Sequence, residues 1–452
     1  MSMMSLFRRA PMASACLIAA AGAGAMAPAA TASAPGWSTP HTASVVPFGI
    51  YGAAPNGQGV QLFATPGASQ SRTAAMRAIK SDATQGKAVT IDANGRPGVG
   101  LLSLAINTNA KLVSAWSLDT LSVGPIGLAA ALGARTALPQ VGTVLPTTGS
   151  VSAVATTMSQ ANTATVAWIE SDATTTWIKA ATLRADATPI VTVLGTDTGS
   201  AEVENLSAGL DGSGRPTVTW TSTTPNGTPT TIAVARGDGT GAFAPATVQT
   251  LTATAPVSSE RTFVRDGGAL TAVWVESGST PSAPATLRTA DAPAGGAFGA
   301  PRTISTAVTG AVSWAGALDG RVALFYLTSA GPRVTLRSTS GTWGATRAVG
   351  PSGKRSVRTL SVGVDASGRV VLLWDDGPAS SAPNRILTAR SSSSSNPPGA
   401  YDQVAQRGGD KNCAKPSLAV SSSGDGLGSW LCDITSKSQG SPRLARLTKP
   451  SS

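Results

Sequence analysis

Apolar and polar residues alternate along this chain in short runs, and glycine-bearing turns separate them. The stretch from Thr359 to Arg390 shows the arrangement. "TLSVGVD" alternates, as a half-buried strand does. "ASGR" reads as a tight turn. "VVLLW" is apolar throughout and predicts a strand buried on both faces. "NRILTAR" is a third strand. Elsewhere a fourth follows, introduced by glycine and an aromatic: "GAFAPATV" from Gly241, "GAFGAPRTI" from Gly296 and "GTWGATRAV" from Gly341. No segment between them shows the period of an amphipathic helix.

The same phrase recurs. "SAGLDGSGRPTVTWTS" (Ser207–Ser222) returns as "SVGVDASGRVVLLWDD" (Ser361–Asp376). Four copies keep an arginine five positions before a large residue: Arg96 to Leu101, Arg215 to Trp220, Arg321 to Tyr326 and Arg369 to Trp374. Looser copies end at Trp168, Trp274 and Trp430. From Trp168 onward the intervals are 52, 54, 52, 48 and 56 residues. The gap from Leu101 to Trp168 is 67, which an Ala/Gly-rich insertion over Gly124–Gly133 would explain. Four short strands every 52 or so residues are the signature of β-propeller blades, whose two apolar faces are covered only by stacking. The expected fold is therefore all-β, a seven-bladed propeller, with eight blades as the alternative. "GQGVQLF" (Gly57–Phe63) looks like another copy but lies only 38 residues before Leu101. After Trp430 only 22 residues remain, enough for a third strand but no fourth, and the region around "TASVVPFGIYG" is expected to close the ring.

The ends and the composition add a compartment. Arg8 and Arg9, an apolar run over Ala13–Ala30 and an Ala-Thr-Ala site ending at Ala32 predict a signal peptide over residues 1–32. A closing segment then covers 33–86 and the repeats 87–452. No second run of membrane length follows, so a soluble monomer, secreted or at the cell envelope, is expected. Cys413 and Cys432 would then sit in an oxidising compartment and form one disulfide. Two thiols and a single distant histidine, His41, make a poor metal set, and no cofactor is implied. The same lone histidine argues against a Ser-His-Asp triad. The net charge of +11, falling by two to +9 without Arg8 and Arg9, favours anionic partners such as cell-wall polymers; nothing points to specific nucleic-acid binding.

The turns before the fourth strands resemble Asp-boxes, the motif of sialidase-like (BNR repeat) propellers, written roughly Ser-x-Asp-x-Gly-x-Thr-Trp. "STSGTW" (Ser338–Trp343) is nearest, with Ser340 at the Asp place, and "RGDGTGAF" (Arg236–Phe243) keeps Asp238 and an aromatic. The resemblance covers the chain from about residue 87. It implies a secreted bacterial-type propeller. Enzymes of that family carry a Tyr-Glu pair, three arginines and an acidic Asp. That set does not carry over: the tyrosines are Tyr51, Tyr326 and Tyr401, Tyr326 holds a core repeat position, and no Arg-Ile-Pro motif is present.

Two sets of charged residues are candidate sites. Arg96, Arg215, Arg321 and Arg369 follow the turns between first and second strands, where equivalent blades would gather them into a basic crescent. The Asp and Gly of those turns are structural. At the other end of the second strand stand Glu170, Asp172, Glu276, Asp375, Asp376 and Asp433. These acids are expected to line one mouth of the channel. Of them, Glu170, Glu276 and Asp376 are the candidates for acid–base work on a glycoside. The expected role is non-enzymatic binding of a glycan or a protein, with a glycoside hydrolase and a surface scaffold as alternatives.

Overall fold

The computed structural model describes residues 37–448, apart from 39, 43–48, 55–56, 67–71, 94–98, 119–126, 200–201, 212, 224–229, 251–252, 281, 318, 351–354, 379–384, 392–397, 399, 405–411 and 434–440. The signal peptide over 1–32 lies outside the described residues. The protein is all-β, and its strands pair antiparallel into seven hydrogen-bonded sheets. One of these, seven-stranded, is two meanders sharing the 15-residue strand Arg302–Gly316. The early part of that strand pairs with Ala285–Ala292 and the later part with Val322–Thr328. Among the described residues this makes eight units of about four strands, here numbered in chain order: 49–90, 102–145, 150–197, 202–250, 257–308, 308–348, 355–403 and 414–447. The last unit takes its outer strand from the other end of the chain. His41–Thr42 pairs with Ser441–Leu447, in register His41 to Leu444.

The gradient of burial within a unit follows from its packing. Second strands are buried almost end to end, as in Lys111–Leu118, Ala164–Ser171 and Leu270–Glu276, because a sheet lies against each face. First strands such as Leu102–Ile106 are half-buried along their length. Most pack beside the first strand of the next unit, and Gly49–Ala53 of unit 1 packs beside Ala414–Val420 of unit 8. Outer strands such as Arg347–Ala348 are exposed.

One large residue per second strand fills the space between units, as the repeat implied. Trp116 packs on Val60, Leu62 and Met76 of the unit before it. Trp274 packs on Ile232 and Val234, and Trp374 on Ala323 and Phe325. Burying each contributes roughly 2–3 kcal/mol. The first copy needs correction. Leu101 precedes a first strand; the second strand of unit 2 carries Trp116, 52 residues before Trp168. The Ala/Gly-rich stretch is no insertion, since Gly127–Ala134 is the third strand of that unit. Phe63, buried and 53 residues before Trp116, stands at the corresponding place in unit 1. That unit is thus a complete sheet, which the spacing measured to Leu101 had seemed to forbid.

Candidate functional site

Four of the six acids at the ends of the second strands, Glu170, Glu276, Asp375 and Asp376, are buried. Glu170 is fully buried and accepts the indole N–H of Trp168 at 2.7 Å and the hydroxyl of Thr148 at 2.8 Å. It is ion-paired with Lys179. Burial pushes its carboxyl up, but Lys179, Trp168 and Thr148 together hold it below the usual range. Glu276 repeats the arrangement two units on. Trp274 donates its indole N–H at 3.1 Å, the Thr254 hydroxyl donates at 2.8 Å, and Arg288 pairs at 2.9 Å. In both units the cation is the cross-strand partner of the tryptophan, Lys179 beside Trp168 and Arg288 beside Trp274. Each glutamate thereby ties the exit of its second strand to the segment that leads into the first.

Other units make the same tie with other chemistry. Oδ1 of Asp375 accepts the backbone N–H groups of Arg358 and Thr359 at 2.9 and 2.8 Å. Its other oxygen is buried without a partner, and burial raises its carboxyl above the usual range against those two donors. The Ser117 hydroxyl accepts the N–H groups of Gly100 and Leu101 in the same relation. In unit 8 the residue two after Trp430 is Cys432, bonded to Cys413 with S–S 1.97 Å. The disulfide stands where units 3 and 5 place a glutamate. Asp376 pairs with Arg385 at 3.1 Å. Asp433 lies near Arg443, at 3.4 Å. Asp172 is exposed and caps its own turn, with the N–H groups of Thr174 and Thr175 both at 2.8 Å lowering its pKa. The structure distributes these acids over units 3, 5, 7 and 8, and the four buried carboxylates serve their own sheets.

The arginines are similarly occupied. Arg215 pairs with Asp211 at 2.9 Å, Arg321 with Asp319 at 3.0 Å and Arg369 with Asp365 at 2.8 Å, each within its own hairpin. The aspartates of the repeated turn therefore neutralise the arginines that follow them. Arg96 lies outside the described residues. Its turn begins at Asp92, which lies in the link after Val89–Thr90 rather than in a hairpin between first and second strands.

Two clefts remain. One, of about 630 Å³, lies where the second strand of unit 5 ends and the strand Arg302–Gly316 crosses from unit 5 to unit 6. Ser258, Ser277, Ser279, Thr280, Ser282 and Thr309 line it, together with small and apolar groups and no charged side chain. Nothing in the residue spacing announced it, because it is built by a loop and a strand shared between units. The other, about 290 Å³, gathers the ends of first strands from units 1, 2, 3, 4 and 8 at the hairpin side. Hydrogen bonds between units stitch this side: Thr108 to Gln160 at 2.6 Å, and Asn107 to the carbonyl of Ser159 at 2.8 Å. Among the described residues no group of three or more His, Cys, Asp or Glu is placed to hold a metal. Nor is any helix among them long and apolar enough to cross a membrane.

No protein-family model matches the chain, and no curated protein matches it in sequence. Solved structures that are similar include a protein of unknown function from Dyadobacter fermentans, at 12% identity over 80% of this chain and 98% of that one, with TM-score 0.41. A prolyl oligopeptidase B from Galerina marginata is similar at 10% identity, over 87% and 55%, with TM-score 0.47. The β-propeller domain of the Trilobed protease from Pyrococcus furiosus is similar at 8% identity, over 78% and 97%, with TM-score 0.43. The chain spans about half the length of the prolyl oligopeptidase it resembles. These likenesses reach propeller domains, while the architecture described above rests on the chain's own strand pairing.

Proposed function

We propose that the chain is a closed eight-bladed β-propeller, its ring completed by the pairing of His41–Thr42 with Ser441–Leu447, and that it acts outside the cytoplasm as a non-enzymatic glycan-binding module. The charge-free, hydroxyl-lined cleft between units 5 and 6 carries this reading. Six serine and threonine hydroxyls offer donors and acceptors without fixed charge, which suits a polyhydroxylated ligand. The signal-like N-terminus and the disulfide support export. A hydrolase would need two carboxylates facing one substrate; Glu170, Glu276 and Asp376 are each buried in a different unit and held by a cation of their own. The Asp-box resemblance accordingly supports the architecture and not a sialidase reaction.

A glycan array probed with the purified protein tests this. Saturable binding to a defined sugar that survives about 0.5 M salt is expected, since hydroxyl contacts are not screened. Replacing Thr309 by Val should weaken it. Absence of any saturable glycan binding would overturn the reading and move the role to a protein partner or a scaffold.

A further inference from the structure

One arginine breaks a pattern that six of the other seven units keep. On the first strands of units 2, 3, 4, 6, 7 and 8, the residue paired with the position just before the core aromatic is small: Ser103 opposite Ala115, Ala155 opposite Ala167, Ser207 opposite Thr219, Ser313 opposite Phe325, Ser361 opposite Leu373 and Ser417 opposite Ser429; unit 1 holds Ile50 there, opposite Leu62. In unit 5 the residue opposite Val273 is Arg261. From this place Ser103 bonds to Thr156, and Ser361 accepts the N–H of Leu418, each on the first strand of the next unit. Arg261 therefore belongs to the seam between the first strands of units 5 and 6. Its side chain is half-buried. Unlike Arg215, Arg321, Arg369 and Arg288, it has no hydrogen-bond acceptor and no ion pair among the described residues. Burial depresses its pKa, and the nearest counter-charge is Glu260, the next residue of an extended strand and so on the opposite face. A half-buried guanidinium without an acceptor is costly to keep. The hydroxyl-lined cleft opens on this same seam: Ser258 lies three residues before Arg261, about 10 Å along the strand, and Thr309 and Gly310 belong to the strand opposite.

We propose that Arg261 is an anion-binding group at the seam between units 5 and 6, taking a carboxylate, sulfate or phosphate group that enters through the cleft. The planar guanidinium can hold two oxygens of such a group at once. The inference rests on the glycan reading only for its route in, because a free oxyanion satisfies Arg261 equally well.

Isothermal titration of the purified protein with sulfate, inorganic phosphate and glucuronate, with glucose as the neutral control, tests it. Saturable binding of at least one oxyanion is expected, weakened tenfold or more in Arg261→Ser. Serine is what most other units hold here, so that variant should fold. Arg261→Lys, which keeps the charge but not the fork, should fall between, and Arg302→Met, an exposed arginine on an outer segment, should bind as the parent does. Binding of sulfate or phosphate would show that the free ion suffices. Binding of glucuronate alone would assign the anion to a hydroxylated ligand. No saturable oxyanion binding in the millimolar range, or equal affinity in Arg261→Ser, would overturn the proposal whatever the glycan array shows.

Discussion

At the scale of single residues, the positions that break the repeat carry the most information. Glu260 stands opposite Trp274, where other units place Leu102, Val154, Val312 and Leu360 opposite their core aromatics. It is buried, bonds to the Thr262 hydroxyl, and is pushed by burial to a pKa of about 7, against a slight lowering by Thr262 and Arg261. The raised pKa fixes a sign. Below pH 4.5 the carboxyl is protonated folded or unfolded and adds no penalty. As pH rises from there to 7 the unfolded chain ionises first, so folding loses stability, by roughly 3 kcal/mol once both states are ionised. Glu260→Gln should therefore melt higher than the parent at pH 8, with the gap closing towards pH 5. A gap independent of pH would remove Glu260 as its source. Arg261, one residue on, was equally unmarked in the linear pattern, since an arginine beside a glutamate reads as solvated surface until the structure shows the glutamate buried and the arginine half-buried.

At the scale of elements, the tie across units 2, 3, 5, 7 and 8 is a unit-level device with interchangeable parts: glutamate with threonine, aspartate or serine with backbone N–H groups, and cystine. Glu276→Ala would leave the Trp274 indole N–H without its acceptor and the Arg288 guanidinium without its carboxylate, with only the Thr254 and Thr303 hydroxyls beside it. Such losses cost about 3–5 kcal/mol. Thr254→Val removes one hydroxyl donor, at about 1–2 kcal/mol. Urea unfolding midpoints should rank the parent above Thr254→Val and Thr254→Val above Glu276→Ala; equal midpoints would mean that the tie adds nothing to stability. The strands themselves were legible, because alternation and apolar runs are dictated by which faces are covered. The ties were not: an acid after an apolar run looks like a solvated strand exit, and only the indole N–H two residues earlier makes it an internal acceptor. The misplaced first copy has a local cause too. Asp92 to Arg96 spells the hairpin turn, but Asp92 lies in the link after Val89–Thr90, while the true hairpin of unit 2 has no glycine. There Ala110 takes φ 56°, a left-handed conformation costly for alanine. Oδ1 of Asn107 steadies it by accepting the N–H groups of Asn109 and Lys111, both at 3.0 Å.

At the scale of the molecule, the two ends of the chain meet in one sheet. Besides the strand His41–Thr42, Trp37 reaches unit 8, bridging to Leu447 and meeting Trp430 edge-on at 6.5 Å between ring centres. A chain lacking the residues up to Thr42 would leave the edge of Ser441–Leu447 unpaired. A lower melting temperature and concentration-dependent association, read by size-exclusion chromatography, are the expected results. An unchanged melting temperature and a clean monomer would show that the pairing does not complete the ring.

The shared strand Arg302–Gly316 sets a further property. Elsewhere a link leaves one sheet before the next begins, so neighbouring units are held together by side-chain packing and isolated hydrogen bonds rather than by a shared ladder. Units 5 and 6 are joined by a continuous hydrogen-bonded ladder, and neither can open without breaking pairs in the other. They form one cooperative block in an otherwise modular series of sheets. Native-state amide exchange would see the two protected to a common level and released together, and under load that pair would resist as a double-length piece while its neighbours peel away singly.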